Sequence, residues 1–245
     1  MSRFSVLVIA AHPDDEVLGC GGTIARHVDQ GDMVTTLFLA DGASARAGGG
    51  VAAIELRRRA ALAAARQLGT APPVFFSFPD NRLDSVALLD LAQAIEGVIA
   101  ETLPQIVYTH HAGDLNVDHR RVHQAALTAC RPQSEHPVER IYAFEVPSAT
   151  EWGGGGFGPA FEPNCFVDIA AWRDRKRAAL EAYADELREW PHPRSREGID
   201  SLGRWRGAMV GMSAAEAFLI LRHLVRQPPA AFPERNVDER LCETA

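Results

Sequence analysis

An apolar run, Phe4 to Ala11, is interrupted only by Ser5 and then meets a histidine and three acids at once. The same change from apolar run to polar turn recurs through the first 150 residues. The first run reads as a buried strand, and the pattern after it as a helix from about Glu16 to near Gln30, with Gly31 placed as a stop. Val34 to Ala40 is a second strand closed by Asp41. The loop "GASARAGGG" follows, then a helix in "AIELRRRAALAAARQLG" that ends at Gly69. Residues 74–78, "VFFSF", form strand three. A helix over Val86 to Glu101 precedes strand four, Gln105 to Thr109. A polar loop then leads to a helix beginning near His119, and "RIYAFEV" is the fifth strand. Strands alternating with helices predict βαβ units and an α/β fold with a mostly parallel, doubly wound sheet.

Beyond the fifth strand, "EWGGGGFGPAF" is too irregular for a regular element, and "NCFVDI" reads as one more strand near the sheet edge. A long charged helix is expected over Ala171 to Trp190, broken by "PHPRS". A last amphipathic helix then runs to about Val225. Without an evident linker, residues 1–225 read as one domain, with 226–245 as a surface tail.

The chain has 245 residues, 47% of them hydrophobic, enough for one large core. A net charge of −7, with no long block of Lys or Arg, argues against a nucleic-acid partner and favours a small-molecule substrate. Cys20, Cys130, Cys165 and Cys242 are scattered without a CxxC pair, so a reducing, cytoplasmic setting is the expectation. The run Val6 to Ala11 is too short for a signal segment, and no transmembrane segment is expected. A homo-oligomer is compatible with all of this.

The chemistry concentrates in "AAHPDDEVLGCGGT", residues 10–23. Pro13 biases His12 toward extended geometry, so His12 and Asp15 can deliver two metal ligands from one strand-to-helix turn. Acids at a helix start also simply favour its dipole, and the cluster alone is ambiguous. A third ligand should come from a neighbouring strand end. In a doubly wound sheet ordered 3-2-1-4-5, the carboxyl ends of strands one and four are adjacent, which brings in "HHAGDLNVDHRRVH" and His119. Two imidazoles and a carboxylate make a three-ligand zinc site with an open position for water, and iron or manganese would also fit. Asp14, between the first two ligands, is free to act as general base. His111, His123 and His136 read as surface histidines.

"AHPDDEVLGCGGT" with "NVDHRRVHQA" resembles the PIG-L/LmbE-like zinc-dependent N-deacetylases. The resemblance extends through "FPDNRLD" to "HPRS" and "AEAF", most of the chain. It implies a Rossmann-like, three-layer LmbE-like fold, zinc on His12, Asp15 and His119, and Asp14 as the base directing water onto an acetamide. The substrate would be an N-acetylglucosamine-type sugar or sugar conjugate. Arg57 would contact the sugar hydroxyls, with Arg58 one register away, and Asp80 would hold the sugar too. Where many relatives carry a histidine, this chain has Asn116, and Asp114 stands near where some place a tyrosine. The final proton then falls to Asp14, or to His110 or its neighbour swinging in. Asp118 reads as a group orienting a nearby ligand or donor, and "GCGG" as a close-packing turn of the helix against the sheet.

Two other readings stand beside this one. A zinc amidase acting on a non-sugar or thiol-conjugate amide would use the same core. A nucleotide-binding Rossmann module without hydrolase activity would use "GCGG", although those glycines come eight or more residues after the strand. The glycine-rich loops around 48–50 and 153–158 could be lids or plain surface. In "PHPRS", His192 or Arg194 could reach the pocket mouth, although prolines flanking a histidine also simply break a helix. Trp152 and Trp205 could stack on a sugar ring, although tryptophan is more often packed.

Overall fold

A computed structural model describes residues 3–45, 50–133 and 138–225. The expected tail, His136 and glycines 48 and 49 lie outside the described residues. In chain order the elements are β1 (Ser5–Ala10), α1 (Asp15–Asp29), β2 (Met33–Ala40), α2 (Val51–Leu68), β3 (Val74–Phe78), α3 (Leu88–Thr102) and β4 (Ile106–His110). They continue with α4 (Val117–Ala129), β5 (Arg140–Phe144), β6 (Cys165–Asp168), α5 (Arg173–Glu181), α6 (Arg196–Ala208) and β7 (Ala215–His223).

The seven strands form one sheet in the order β3-β2-β1-β4-β5-β7-β6. The first five are parallel, with the expected crossover between β1 and β4. β7 runs antiparallel between β5 and β6. The alternation of β1 explains the layers. Val6, Val8 and Ala10 pack with Val17, Leu18, Ala61, Ala64 and Leu180 from α1, α2 and α5. Leu7, Ile9 and Ala11 pack with Leu91, Ile95, Val122 and Ala126 from α3 and α4. Every position from Val6 to Ala10 is therefore apolar because helices cover both faces. None of the helices among the described residues is long and apolar enough to cross a membrane.

Glycine lets α1 lie close to its neighbours. A Cβ on Gly19 would sit 2.3 Å from Phe144 Cδ2, and one on Gly22 would sit 2.7 Å from Ile169 Cγ2. The segment "GCGG" is thus a packing surface.

Two expected helices differ. The run expected to stay helical to Val225 stops at Ala208, turns at Gly211 (φ 76°), and becomes β7. "AEAFLILRH" carries apolar residues spaced for either periodicity, and pairing with β5 and β6 decides for strand. The long charged helix expected to reach Trp190 ends at Glu181, with one 3₁₀ turn at Ala184–Glu186. There Tyr183 and Glu186 turn inward to bond Glu16 and Arg57, tertiary contacts that override helix propensity.

Candidate metal centre at the carboxyl edge of the sheet

β1 and β4 end side by side, so the turn after β1 and the loop after β4 face each other. Asp14 takes φ 122° at the turn. That conformation is strained for a residue with a Cβ, and such strain gathers at functional sites. Its N–H donates to Glu16 Oε2 at 3.0 Å, and the Tyr183 hydroxyl donates to Glu16 Oε1 at 2.7 Å. Glu16 is therefore a buried brace for the turn. Burial pushes its pKa up to about 8, against the Tyr183 bond.

Asp15 is the hub. Its Oδ2 lies 3.2 Å from His12 Nδ1 and 3.3 Å from His119 Nε2, and accepts the His12 backbone N–H at 2.9 Å. Each imidazole meets a further carboxylate at its other nitrogen. His12 Nε2 is 3.0 Å from Asp118 Oδ2 and 3.2 Å from Asp80 Oδ1, while His119 Nδ1 is 3.1 Å from Asp114 Oδ2. Carboxylates in these positions fix ring orientation and tautomer. Asp118 is itself fixed by the Asn81 and Leu83 backbone N–H groups, at 2.7 and 2.9 Å. Asp114 accepts from the Thr150 hydroxyl at 2.7 Å and from Asn116 N–H at 2.8 Å.

A cation fits the centre. Ligand atoms of His12, Asp15 and His119 lie within 4.8 Å of one another. Asp15 Oδ1 is buried without a hydrogen-bond partner among the described residues, a state that is costly unless something binds there, and His119 Nε2 faces only the Asp15 carboxylate, at 3.3 Å. His12, Asp80 and Asp118 also converge, but both Asp118 oxygens already accept backbone N–H bonds. Two imidazoles and one carboxylate are the donors zinc favours. In the metal-free protein, burial lowers the His119 pKa, yet Asp15 and Asp114 outweigh it and raise it to about 9. The centre is thus strongly attractive to positive charge.

Asp14 points to the other side of the turn. Its Oδ2 is 3.2 Å from Arg194 Nη1 and 3.8 Å from Arg57 Nη1. Burial raises its pKa, Arg194 opposes this, and the balance is about 6. Arg57 also pairs with buried Glu186. Arg58 turns away to Ser77 and the Phe75 ring, so the register that reaches the site is that of Arg57.

The remaining histidines correct the sequence reading. His110 is fully buried and stacked on His119, with ring centroids 3.9 Å apart, and its Nε2 accepts the Ala11 N–H at 2.8 Å. Burial holds its pKa well below the usual imidazole value. With Nε2 accepting, the ring proton is on Nδ1, which is buried without a hydrogen-bond partner among the described residues. His111 and His123, expected at the surface, are buried, bonding the Pro159 and His110 carbonyls. Asn116 caps α4 by accepting the Asp118 N–H at 2.8 Å. Trp152 and Trp205 are exposed rather than packed, and Trp152 stands edge-on to His192. The backbone of the glycine loop 153–158 lies against Gly113.

Sequence reasoning named Asp114 without its contact to His119, missed Tyr183 and Glu186, and weighed Arg194 without choosing it. A buried partner reached only through tertiary contact leaves little local signal.

Residues 7–130 match the family described as PIG-L: GlcNAc-PI de-N-acetylase. Among curated relatives, the uncharacterized deacetylase YaiS of Escherichia coli K12 is 32% identical over 151 residues, covering 60% of this chain and 76% of its own. The 4-oxalmesaconate hydratase of Pseudomonas putida is 33% identical over 210 residues, 77% of this chain and 76% of its own. The crystal structure of GalB, a 4-carboxy-2-hydroxymuconate hydratase from P. putida, superimposes with a TM-score of 0.74 at 26% identity, covering 93% of this chain and all of that one.

Proposed function

The chain belongs to the PIG-L family, and from that premise we propose that it is a metal-dependent hydrolase removing the acetyl group from an N-acetylated amino sugar or its conjugate. The observation that carries this reading is the convergence of His12, Asp15 and His119 around the buried Asp15 Oδ1, which has no hydrogen-bond partner among the described residues. These three residues would hold the metal, zinc by donor type, with other divalent ions compatible. Once bound, it would supply Lewis acidity toward the amide carbonyl and toward water.

The chain's own groups do the rest. Asp14 takes a proton from the attacking water and passes it to the departing amine. One residue fills both roles because Asn116 is spent as a helix cap and His110 Nε2 already accepts the Ala11 N–H. Arg194 and Arg57 hold the Asp14 carboxylate on the substrate side of the turn. Asp118 and Asp114 keep the two imidazoles oriented. Arg57 and Asp80 are assigned to the sugar hydroxyls, which a guanidinium and a carboxylate can grip together.

A second reading is hydration of an unsaturated acid, favoured by the hydratase relative of 33% identity. It would use the same water and base, with Arg57 and Arg194 facing a substrate carboxylate. Product analysis separates the readings. The zinc-loaded protein is offered N-acetylglucosamine conjugates and, separately, conjugated unsaturated tricarboxylic acids. Equal amounts of acetate and free amine support deacetylation. Loss of the conjugated-acid absorbance, with no acetate from any acetamide, replaces it with hydration. Amine release without acetate would indicate a broader amidase.

A further inference from the structure

A second polar pocket lies beneath the carboxyl-terminal half of α1, away from the metal centre. It is lined by Thr23, Arg26, His27 and Gln30 of the α1 region, by Tyr108, Arg140 and Tyr142 of the sheet, and by apolar neighbours. Its volume is about 140 Å³, below the roughly 300 Å³ at which drug-sized sites begin, so an occupant has only a few heavy atoms.

Its charge is unbalanced. Arg173, Arg175, Arg177, Arg196 and Arg206 each have a carboxylate within 2.9 Å. Arg26 and Arg140, among the described residues, have none. Arg26 lies over the Trp172 ring and Arg140 over the Phe4 ring, 6.0 and 4.9 Å from the centroids. Two nearby acids are committed elsewhere. Asp32 accepts the Phe4 N–H at 2.9 Å and faces His27 Nδ1 at 2.7 Å, while Asp29 bonds Trp172 and Arg175. The His27 Nε2 is in turn 2.9 Å from the Tyr108 hydroxyl, which holds that side of the pocket rigid.

A separate observation points to a ligand. Thr23 is 1% exposed, and its Oγ1 has no hydrogen-bond partner. A buried hydroxyl left unpaired costs about 1–3 kcal/mol, and this one belongs to a residue lining a pocket in which Arg26 and Arg140 have no carboxylate partner among the described residues. We propose that the pocket binds one small oxyanion, a phosphate or a carboxylate, with Arg26 and Arg140 as charge partners and the Thr23 hydroxyl as a buried donor. Guanidiniums are suited to such anions because their paired N–H groups match two oxygens.

Calorimetric titration of inorganic phosphate, and separately of succinate, into the zinc-loaded full chain at low salt tests this. One equivalent should bind, and the tighter of the two probes identifies the anion class. Arg26→Gln with Arg140→Gln should weaken binding by about 10-fold or more, and Thr23→Val by several-fold. Raising the salt should weaken it as well. The His27 ring resonances should shift on saturation in the wild type, while turnover at the metal centre stays unchanged in the Arg26, Arg140 and Thr23 variants. Thr23→Val keeps the shape and serves if the double variant does not fold. The proposal is overturned if neither anion binds. It is equally overturned if binding survives these substitutions, or if it is lost in His119→Ala instead, which would locate the anion at the metal centre. The outcome is independent of which reaction the centre catalyses.

Discussion

Replacing Asp118 by asparagine perturbs the orientation of His12 without touching a proposed ligand. Asp118 is fully buried. Its Oδ2 accepts the Asn81 N–H and faces His12 Nε2, and its Oδ1 accepts the Leu83 N–H. An asparagine can place its carbonyl oxygen at only one of these positions. The less costly choice keeps Oδ2 and turns the amide NH₂ toward the Leu83 N–H, leaving a buried donor unpaired at about 1–3 kcal/mol of stability. His12 then keeps an acceptor, but a neutral one, which forms a bond about half as strong as the charge-assisted one. Loss of such a partner typically weakens metal binding 10–100-fold, about 1.4–2.7 kcal/mol. Asp80 Oδ1 stays 3.2 Å from the same nitrogen, so the expected loss is at the lower end, about 10-fold. Competition with a zinc chelator measures the affinity, and thermal unfolding of the apo protein measures the stability term separately. Unchanged zinc affinity in a folded Asp118→Asn protein would refute the orienting role. A further fall in Asp80→Asn/Asp118→Asn is expected if the two acids share it.

Other consequences follow from the same geometry. Gly19→Ala places a Cβ against the fully buried Phe144 ring and should destabilise the fold by about 1–3 kcal/mol, read as a lower denaturation midpoint at unchanged slope. An unchanged midpoint would contradict the close packing of α1. Tyr183→Phe removes the donor to buried Glu16 Oε1 and should cost about 1–3 kcal/mol and slow turnover while zinc content holds. A variant with wild-type turnover would show that the brace does not position Asp14. Chelation should lower the melting temperature of the wild type, because a ligand at 100 times its Kd adds about 2.7 kcal/mol. The same treatment should leave His119→Ala unmoved, and an equal drop in both would place the stabilising metal elsewhere.

The parallel half of the fold was legible because buried strands and glycine-stopped helices are written locally. Runs such as Phe4 to Ala11, and stops such as Gly69 in its left-handed conformation, need no distant partner to be read. The crossover between β1 and β4 then brought His12, Asp15 and His119 together. The carboxyl-terminal third was harder for a physical reason. β7 is a strand because β5 and β6 flank it, and α5 ends early because Tyr183 and Glu186 are drawn into the site. Arg194 shows the same limit: its proline neighbours announce a break, but only the fold reveals that the break ends at Asp14. The histidines around His110 were misjudged because a polar loop usually lies at the surface, whereas this one packs beneath the glycine segment at Gly153 and Gly158.

The most direct test of the account is turnover per bound zinc in Asp14→Asn, on whichever N-acetylated sugar conjugate releases acetate. Asp14 is not among the three ligands, so the variant should hold a full equivalent of zinc while acetate release falls by about 100-fold or more, the scale of general acid–base catalysis. Turnover per zinc equal to the wild type would contradict the assignment of Asp14 as the base.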